Sequence, residues 1–402
     1  MRIIWSGLLA TLVAAMVTLP SHAQKIAPDV KTLVEGNSDF GLSLYQRLAK
    51  EDGNLFLSPY SISNAFGMCY AGAKGNTAAE MKTTLRFNLG DDRLHPAFRD
   101  LIAALDGGGK KRDFQLTVAN RLWGQKDYGF APAFIKNGQT FYGAGLEEVD
   151  FVSATEAARK TINTWVEKQT KDKIKELIPQ GVLDDNSRLV LTNAIYFKAP
   201  WMFPFDPKQT KPGKFHVTAD KTVEAPMMHT HHTARFSDLG TLSMVEMAYG
   251  KGEVSMLVLL PAKKTSLSDL EKQLTAQNLV VWTKKLSAHS VDLKLPKFKV
   301  TKQFSLSNVL KEMGMKDAFT FGKADFSGMA TREKLYITAV LHKAFVDVNE
   351  IGTEAAAATA IGVGTLSLPP PATFHADHPF VFLIRDNRTG SILFVGRVVN
   401  PS

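Results

Sequence analysis

Few sets of residues in this chain have the types and spacing to do chemistry. His229-Thr230-His231-His232 clusters imidazoles, which are good zinc ligands. No carboxylate or cysteine accompanies them in the sequence, so the segment reads as an exposed polar turn and no metal site is expected. Cys69 is the only cysteine, which excludes an intramolecular disulfide. It lies in the apolar stretch Phe66-Gly67-Met68-Cys69-Tyr70 and reads as a buried, inert thiol. Gly362-Val363-Gly364 lacks the third glycine and the following helix of a dinucleotide site. There is no Gly-x-Ser-x-Gly elbow, His-Glu-x-x-His, Cys-x-x-Cys pair or phosphate loop, so neither an enzyme nor a cofactor is indicated. A hydrolase with a scattered triad would leave no such local trace and stays open as an alternative.

The stretch near the C-terminus has a chemistry of another kind. Glu350, Gly352, Thr353 and Glu354 lead into Ala355-Ala356-Ala357-Ala358, then Gly362, Gly364, Leu366, Ser367 and Pro369-Pro370-Pro371. A long loop late in a compact domain is usually functional or disordered.

The elements around that stretch mix helices and strands without a strict βαβ rhythm. Arg188–Phe197 is apolar on both faces, as a central strand covered on both sides would be. Asn193 in its middle is then a buried amide that must find partners. Val254–Leu260, Leu335–Val348, Pro379–Arg385 and Ile392–Val399 also read as strands, the last two joined by the turn Asp386–Gly390. Thr77-x-x-Glu80 and Ser153-x-x-Glu156 have the form of capping boxes, and Pro132 fits a first helical turn.

Composition bounds the rest. The chain has 402 residues, 45% hydrophobic and 22% charged, which is ordinary for a globular protein. Met1–Ala23 has the form of a signal peptide: Arg2, an apolar run from Ile3 to Leu19, and the small-x-small site Ser21-His22-Ala23. The expectation is a secreted protein, extracellular or periplasmic, with one domain over 24–402 and no membrane association after cleavage. The formal charge of +9 falls to +8 when Arg2 is lost. Lys110-Lys111-Arg112 and Lys171, Lys173 and Lys175 could meet a polyanion such as a glycosaminoglycan, but solvated surface is the better reading. No aromatic residues interleave with them, so no nucleic-acid groove is expected.

Several segments resemble the serpin family, in the family's order and over essentially the whole chain beyond the leader. They are Asn54-Leu-Phe-Leu-Ser58-Pro59-Tyr-Ser61-Ile62, Ile162-Asn-x-Trp165-Val-Glu, Lys173-Ile-Lys-Glu-Leu-Ile178, Leu189-Val-Leu-Thr-Asn193-Ala-Ile-Tyr-Phe-Lys198 and Trp201. Asp325-Phe-Ser-Gly328, His342-Lys343-Ala344, and Pro379-Phe380 with Phe394-x-Gly396-x-Val398-x-Asn400-Pro401 complete the set.

The resemblance implies one α+β domain of three β-sheets and about nine helices, whose reactive loop can enter the largest sheet. It implies a suicide-substrate inhibitor that acts as a monomer and needs no cofactor. The loop hinge would be Glu350, Gly352, Thr353, Glu354 and Ala355 to Ala358; Ile351 departs from the family, where a charged residue is commoner. Counting fifteen residues from Gly352 puts the cut between Leu366 and Ser367. Leu366 suits the apolar pocket of a chymotrypsin-like serine protease, captured as a covalent one-to-one complex, with subtilisin-like and elastase-like enzymes as second choices. Ser58, Ser61, Asn193 and His342 would form the polar shutter beneath the sheet. Trp201 and Lys297 would stand at the breach where insertion begins, Lys297 within reach of Glu350. A non-inhibitory serpin acting as carrier or chaperone is the alternative, although the hinge has none of the bulky or proline residues such relatives carry.

Overall fold

A strand that is apolar on both faces needs cover on both, and Leu189–Pro200 has it. Val190, Ala194 and Tyr196 belong to a cluster with Ile162 and Val166 of an overlying helix. Leu191, Ile195, Phe197 and Ala199 face the main core. The computed structural model describes residues 26–107, 112–330, 334–353 and 369–402.

In chain order the helices are α1 (Pro28–Leu48), α2 (Pro59–Tyr70), α3 (Gly75–Leu85), α4 (Asp91–Asp106), α5 (Pro132–Tyr142), α6 (Phe151–Gln169), α7 (Leu267–Gln273), α8 (Ala276–Lys284) and α9 (Ser307–Glu312). The strands are β1 (Leu55–Leu57), β2 (Gln115–Gln125), β3 (Leu146–Val149), β4 (Leu189–Pro200), β5 (Lys211–His216), β6 (Thr222–Asp238), β7 (Leu242–Tyr249), β8 (Val254–Pro261), β9 (Ser287–Pro296), β10 (Phe298–Ser305), β11 (Ile337–Val348), β12 (Gly352–Thr353), β13 (Pro371–His375), β14 (Phe380–Asp386) and β15 (Ile392–Val398). The architecture is α+β.

One sheet has the order β10-β11-β12-β4-β2-β3, with β11 and β4 also paired directly. The other runs β1-β15-β14-β8-β7-β6-β9-β13, with β5 on β6. It divides into two sections at β6, which pairs with β9 from Met227 to Phe236 but with β7 only from Arg235 to Asp238. The six-stranded sheet and these two sections make the three-sheet arrangement. The helix α6 lies over the outer face of the six-stranded sheet.

Pro132 opens α5, where its missing N–H costs nothing. Asp386 forms the C-terminal turn by accepting the Thr389 N–H at 2.7 Å. The two proposed capping boxes are absent. The cap of α6 is Asp150, whose carboxylate accepts the Ser153 N–H, so Ser153 lies in the first turn, just before a kink at Ala154. Lys74 precedes α3, and Glu80 instead accepts the backbone N–H groups of Lys316 and Asp317, both at 2.7 Å. A carboxylate beyond the first turn of a helix, with no free N–H of its own helix in reach, is free to serve another segment that brings unpaired donors to it.

Candidate functional site

Two strands of the six-stranded sheet part at one end. Parallel β11 and β4 pair from Ile337–Leu189 to Phe345–Tyr196, with a bulge between Ile337 and Ala339 and an unbroken register from Ala339–Val190 onward. Beyond Phe345–Tyr196 β12 enters between them, with Thr353 opposite Val348 on one side and Ala199 on the other, and Gly352 opposite Pro200. The chain reaches this slot by reversing over Asn349–Gly352, where each end donates its N–H to the other's carbonyl, at 2.9 and 3.2 Å. Only glycine fits the entry. Gly352 has φ +154°, and a Cβ there would lie 2.1 Å from the Ala199 carbonyl oxygen. Thr353 is fully buried, with its hydroxyl 2.7 Å from that of Tyr249.

An aromatic and ionic frame surrounds the entry. Trp201 stacks on Tyr249, with ring centroids 4.3 Å apart, and donates its indole N–H to the Asn349 carbonyl at 2.9 Å. Its backbone N–H bonds the Ile351 carbonyl, also at 2.9 Å. Lys297 Nζ lies 2.9 Å from Glu350 Oε2, while Thr210 donates to Oε1 at 2.9 Å. Burial raises the Glu350 carboxyl, but the bonds from Lys297 and Thr210 outweigh it and leave the pKa below its ordinary value. Ile351 is exposed at the tip of the turn, which explains why an apolar residue is tolerated there.

Beneath the slot a buried polar cluster joins β2, β4, β11 and the start of α2. Ser58 caps α2 by accepting the Ser61 N–H at 3.1 Å, and its own hydroxyl donates to the Leu393 carbonyl at 2.6 Å. The Ser58 backbone N–H donates to His342 Nε2 at 3.1 Å. That makes Nε2 an acceptor, so the proton sits on Nδ1 and is donated to Asn193 Oδ1. The Asn193 amide then donates to Ser61 Oγ at 2.6 Å and to Asn120 Oδ1. Asn120 returns a bond to the Ser61 carbonyl at 3.0 Å. Burial pushes His342 down to about 3, so it stays neutral. Each member is satisfied, and such a network holds strands together by bonds that can change partners.

The structure therefore brings Ser58, Ser61, Asn193 and His342 into one cluster, and Trp201, Lys297, Glu350, Gly352 and Thr353 into another. Glu354, Ala355 to Ala358, Leu366 and Ser367 lie outside the described residues. Three participants escaped sequence reading: Asn120, Tyr249 and Thr210. Asn120 carried the signal that exposed Asn193, an amide inside the apolar strand pattern Val118-Ala-Asn-Arg-Leu-Trp123. The histidine run is not a turn but part of β6, where His229 and His231 project from the strand. Among the described residues no group of three or more His, Cys, Asp or Glu side chains is placed to hold a metal. Cys69 is buried, and burial raises its thiol well above the usual range.

Comparison with known proteins gives these clusters a context. The family model described as serpin (serine protease inhibitor) matches residues 35–401. Leukocyte elastase inhibitor A of Rattus norvegicus is 42% identical, matching 92% of this chain and 100% of its own length. Serpin B9 of Homo sapiens is 40% identical with the same coverage. The crystal structure of human thyroxine-binding globulin superposes with a TM-score of 0.84 at 33% identity, covering 93% of this chain and 100% of the other. These relatives correct the expected localisation. They are matched end to end by 92% of the chain, so they have no counterpart of a leader, and the assignment as a secreted extracellular or periplasmic protein is withdrawn. Both the family match and the identity over nearly the full length lead to one conclusion: this chain belongs to the serpin family of serine protease inhibitors.

Proposed function

We propose that the chain is a single-use, monomeric inhibitor of serine proteases, cut after Leu366 and completed by insertion of the loop between β4 and β11. It is a substrate that fails to let go, not a hydrolase. The observation that carries this reading is the seating of Gly352 and Thr353 between those two strands. The slot's upper end is already occupied by the loop's own first residues, and continued insertion only lengthens an existing pairing.

The register supports the rest of the segment. Thr353 faces the main core, as its bond to Tyr249 requires. Alternation then sends Ala355, Ala357, Thr359, Ile361, Val363 and Thr365 to the core and Glu354, Ala356, Ala358, Ala360, Gly362, Gly364 and Leu366 to the face under α6. Residues passing beneath a packed helix must be small, and after Glu354 that second series is alanine and glycine up to the point of cleavage. Insertion to Leu366 displaces an acyl-linked protease by on the order of 40 Å. The new backbone bonds, at ~1 kcal/mol each, supply roughly 10 kcal/mol against the return.

The target we infer is chymotrypsin-like, from the apolar Leu366 before Ser367. The similarity to proteins named leukocyte elastase inhibitor favours an elastase as the second candidate. Incubation with chymotrypsin and with leukocyte elastase, read by denaturing electrophoresis and mass spectrometry, separates them. The expected product is a stable one-to-one complex with chymotrypsin and a released peptide beginning at Ser367. Turnover of the chain with no complex would refute inhibition, and a peptide beginning elsewhere would refute the register.

A further inference from the structure

Beyond the inhibitory loop, the strand that follows it is held by a cluster that loop insertion does not use. β13 ends the nine-stranded sheet and pairs in parallel with β9 alone among the described residues. Five residues of pairing make a short edge strand. Its inward side is anchored by buried Phe374, set edge-on to Phe236. On its outward side three strands contribute one side chain each: His229 from β6, Asp292 from β9 and His375 from β13. His229 Nε2 lies 2.6 Å from Asp292 Oδ1, and His375 Nε2 lies 2.8 Å from Oδ2. A carboxylate only accepts, so both imidazoles donate, each to its own oxygen. Lys294 stands in register with both His229 and His375, and His231 stands beside Asp292 and bonds Ser290 at 2.9 Å. The Asp292 charge therefore sits among four basic or titratable neighbours on that face.

We propose that Asp292 is a positioning residue: gripped from one side by His229, it fixes His375 and keeps β13 docked while the loop is uncut. The proposal rests on the inhibitory reading above. Covalent connection explains why docking matters. Residues 354–370 join β12, already seated in the slot, to β13 at the far edge of the other sheet. With both ends held, the intervening chain cannot pass further between β4 and β11. Detachment of β13 would release that end, and an uncut molecule could insert its own loop and be spent without meeting a protease.

Hydrogen exchange of the full-length chain, followed by mass spectrometry over residues 371–376, tests the clasp. Asp292→Leu should raise exchange there about tenfold, as expected for loss of a charge-assisted bond. Stored uncut protein should lose its capacity to capture chymotrypsin faster by a similar factor. Asp292→Asn, with a single acceptor oxygen, should fall between. His375→Gln retains a donor to the carboxylate and should keep most of both properties, whereas His375→Leu, of similar size but without a donor, should lose them, which a merely space-filling role would not predict. Wild-type exchange in Asp292→Leu would overturn the clasp. Raised exchange with unchanged decay of capacity would overturn its link to insertion. If wild-type protein captures no protease, the inhibitory reading fails, and the exchange measurement still decides whether Asp292 holds β13.

Discussion

The hydroxyl of Tyr249 lies 2.7 Å from that of Thr353, tying β12 between its two neighbours to a strand of the other sheet. Tyr249 is itself wedged by Trp201, stacked at 4.3 Å, and by Phe197, met edge-on at 5.3 Å. Burial raises its phenol far above the ordinary value, so it is a neutral donor or acceptor throughout the working pH range. One hydrogen bond thus couples the hinge to the aromatic frame that surrounds its point of entry.

Tyr249→Phe keeps the ring and its stacking but leaves the buried Thr353 hydroxyl without this partner. The expected cost is about 1–2 kcal/mol, concentrated in the hinge. Exchange of the amides at 352 and 353 should rise by roughly tenfold, while the global unfolding midpoint moves little.

Gly352→Val asks a β-branched residue to take φ +154° with its Cβ within 2.1 Å of the Ala199 oxygen. Backbone atoms cannot yield as a flexible side chain can, so the hinge should be expelled from the slot. Titration of the variant against protease should show more inhibitor cleaved per protease captured than with wild type. An unchanged stoichiometry would mean that hinge seating does not matter for insertion.

His342 makes stability depend on pH in a definite direction. In the fold it remains neutral down to about 3. In the unfolded chain it takes up its proton near ~6.5. Between those values the unfolded state binds more protons, so stability falls as pH falls, by about 1.4 kcal/mol per unit from this residue; above ~6.5 the effect vanishes. Urea midpoints at several pH values should show that His342→Gln is less stable than wild type at neutral pH but flatter on the acid side. Parallel curves would show that the imidazole is not the titrating group.

Part of this site could be read directly from residue types. Asn193 stood out because an amide inside an apolar strand demands partners, whereas sheet entry by Gly352, Thr353 and the alanines after them followed only from the family resemblance. Asn120 gave the same signal in a strand with a half-exposed beginning, where an amide is unremarkable. Tyr249 gave none, since a tyrosine ending an apolar strand is ordinary and its partner lies 104 positions away. The paired strands β4 and β11 were visible as apolar runs, but their separation at the top depends on β12 occupying the gap, a long-range event with no local pattern. The capping boxes failed for the opposite reason, because Glu80 matched a local motif while serving a distant segment.

Specificity follows from the residue before the cut. Leu366→Arg should move preference from chymotrypsin towards trypsin-like enzymes, whose pocket carries a carboxylate. Association rates with the two proteases provide the measure, and preference that does not move would place the scissile bond elsewhere.

The central claim is that protease capture depends on the loop entering the sheet, and Thr353→Arg tests it most directly. At this position the arginine would face the main core beside Tyr249, a buried cation with no partner, at a cost of several kcal/mol. The hinge would leave the slot, and early insertion would slow below deacylation. The measurement is the number of inhibitor molecules consumed per chymotrypsin molecule inactivated, with the cleavage site read by mass spectrometry. The account predicts a folded variant, cut after Leu366, that is consumed as a substrate while the enzyme stays active; capture as efficient as that of the wild type would contradict it.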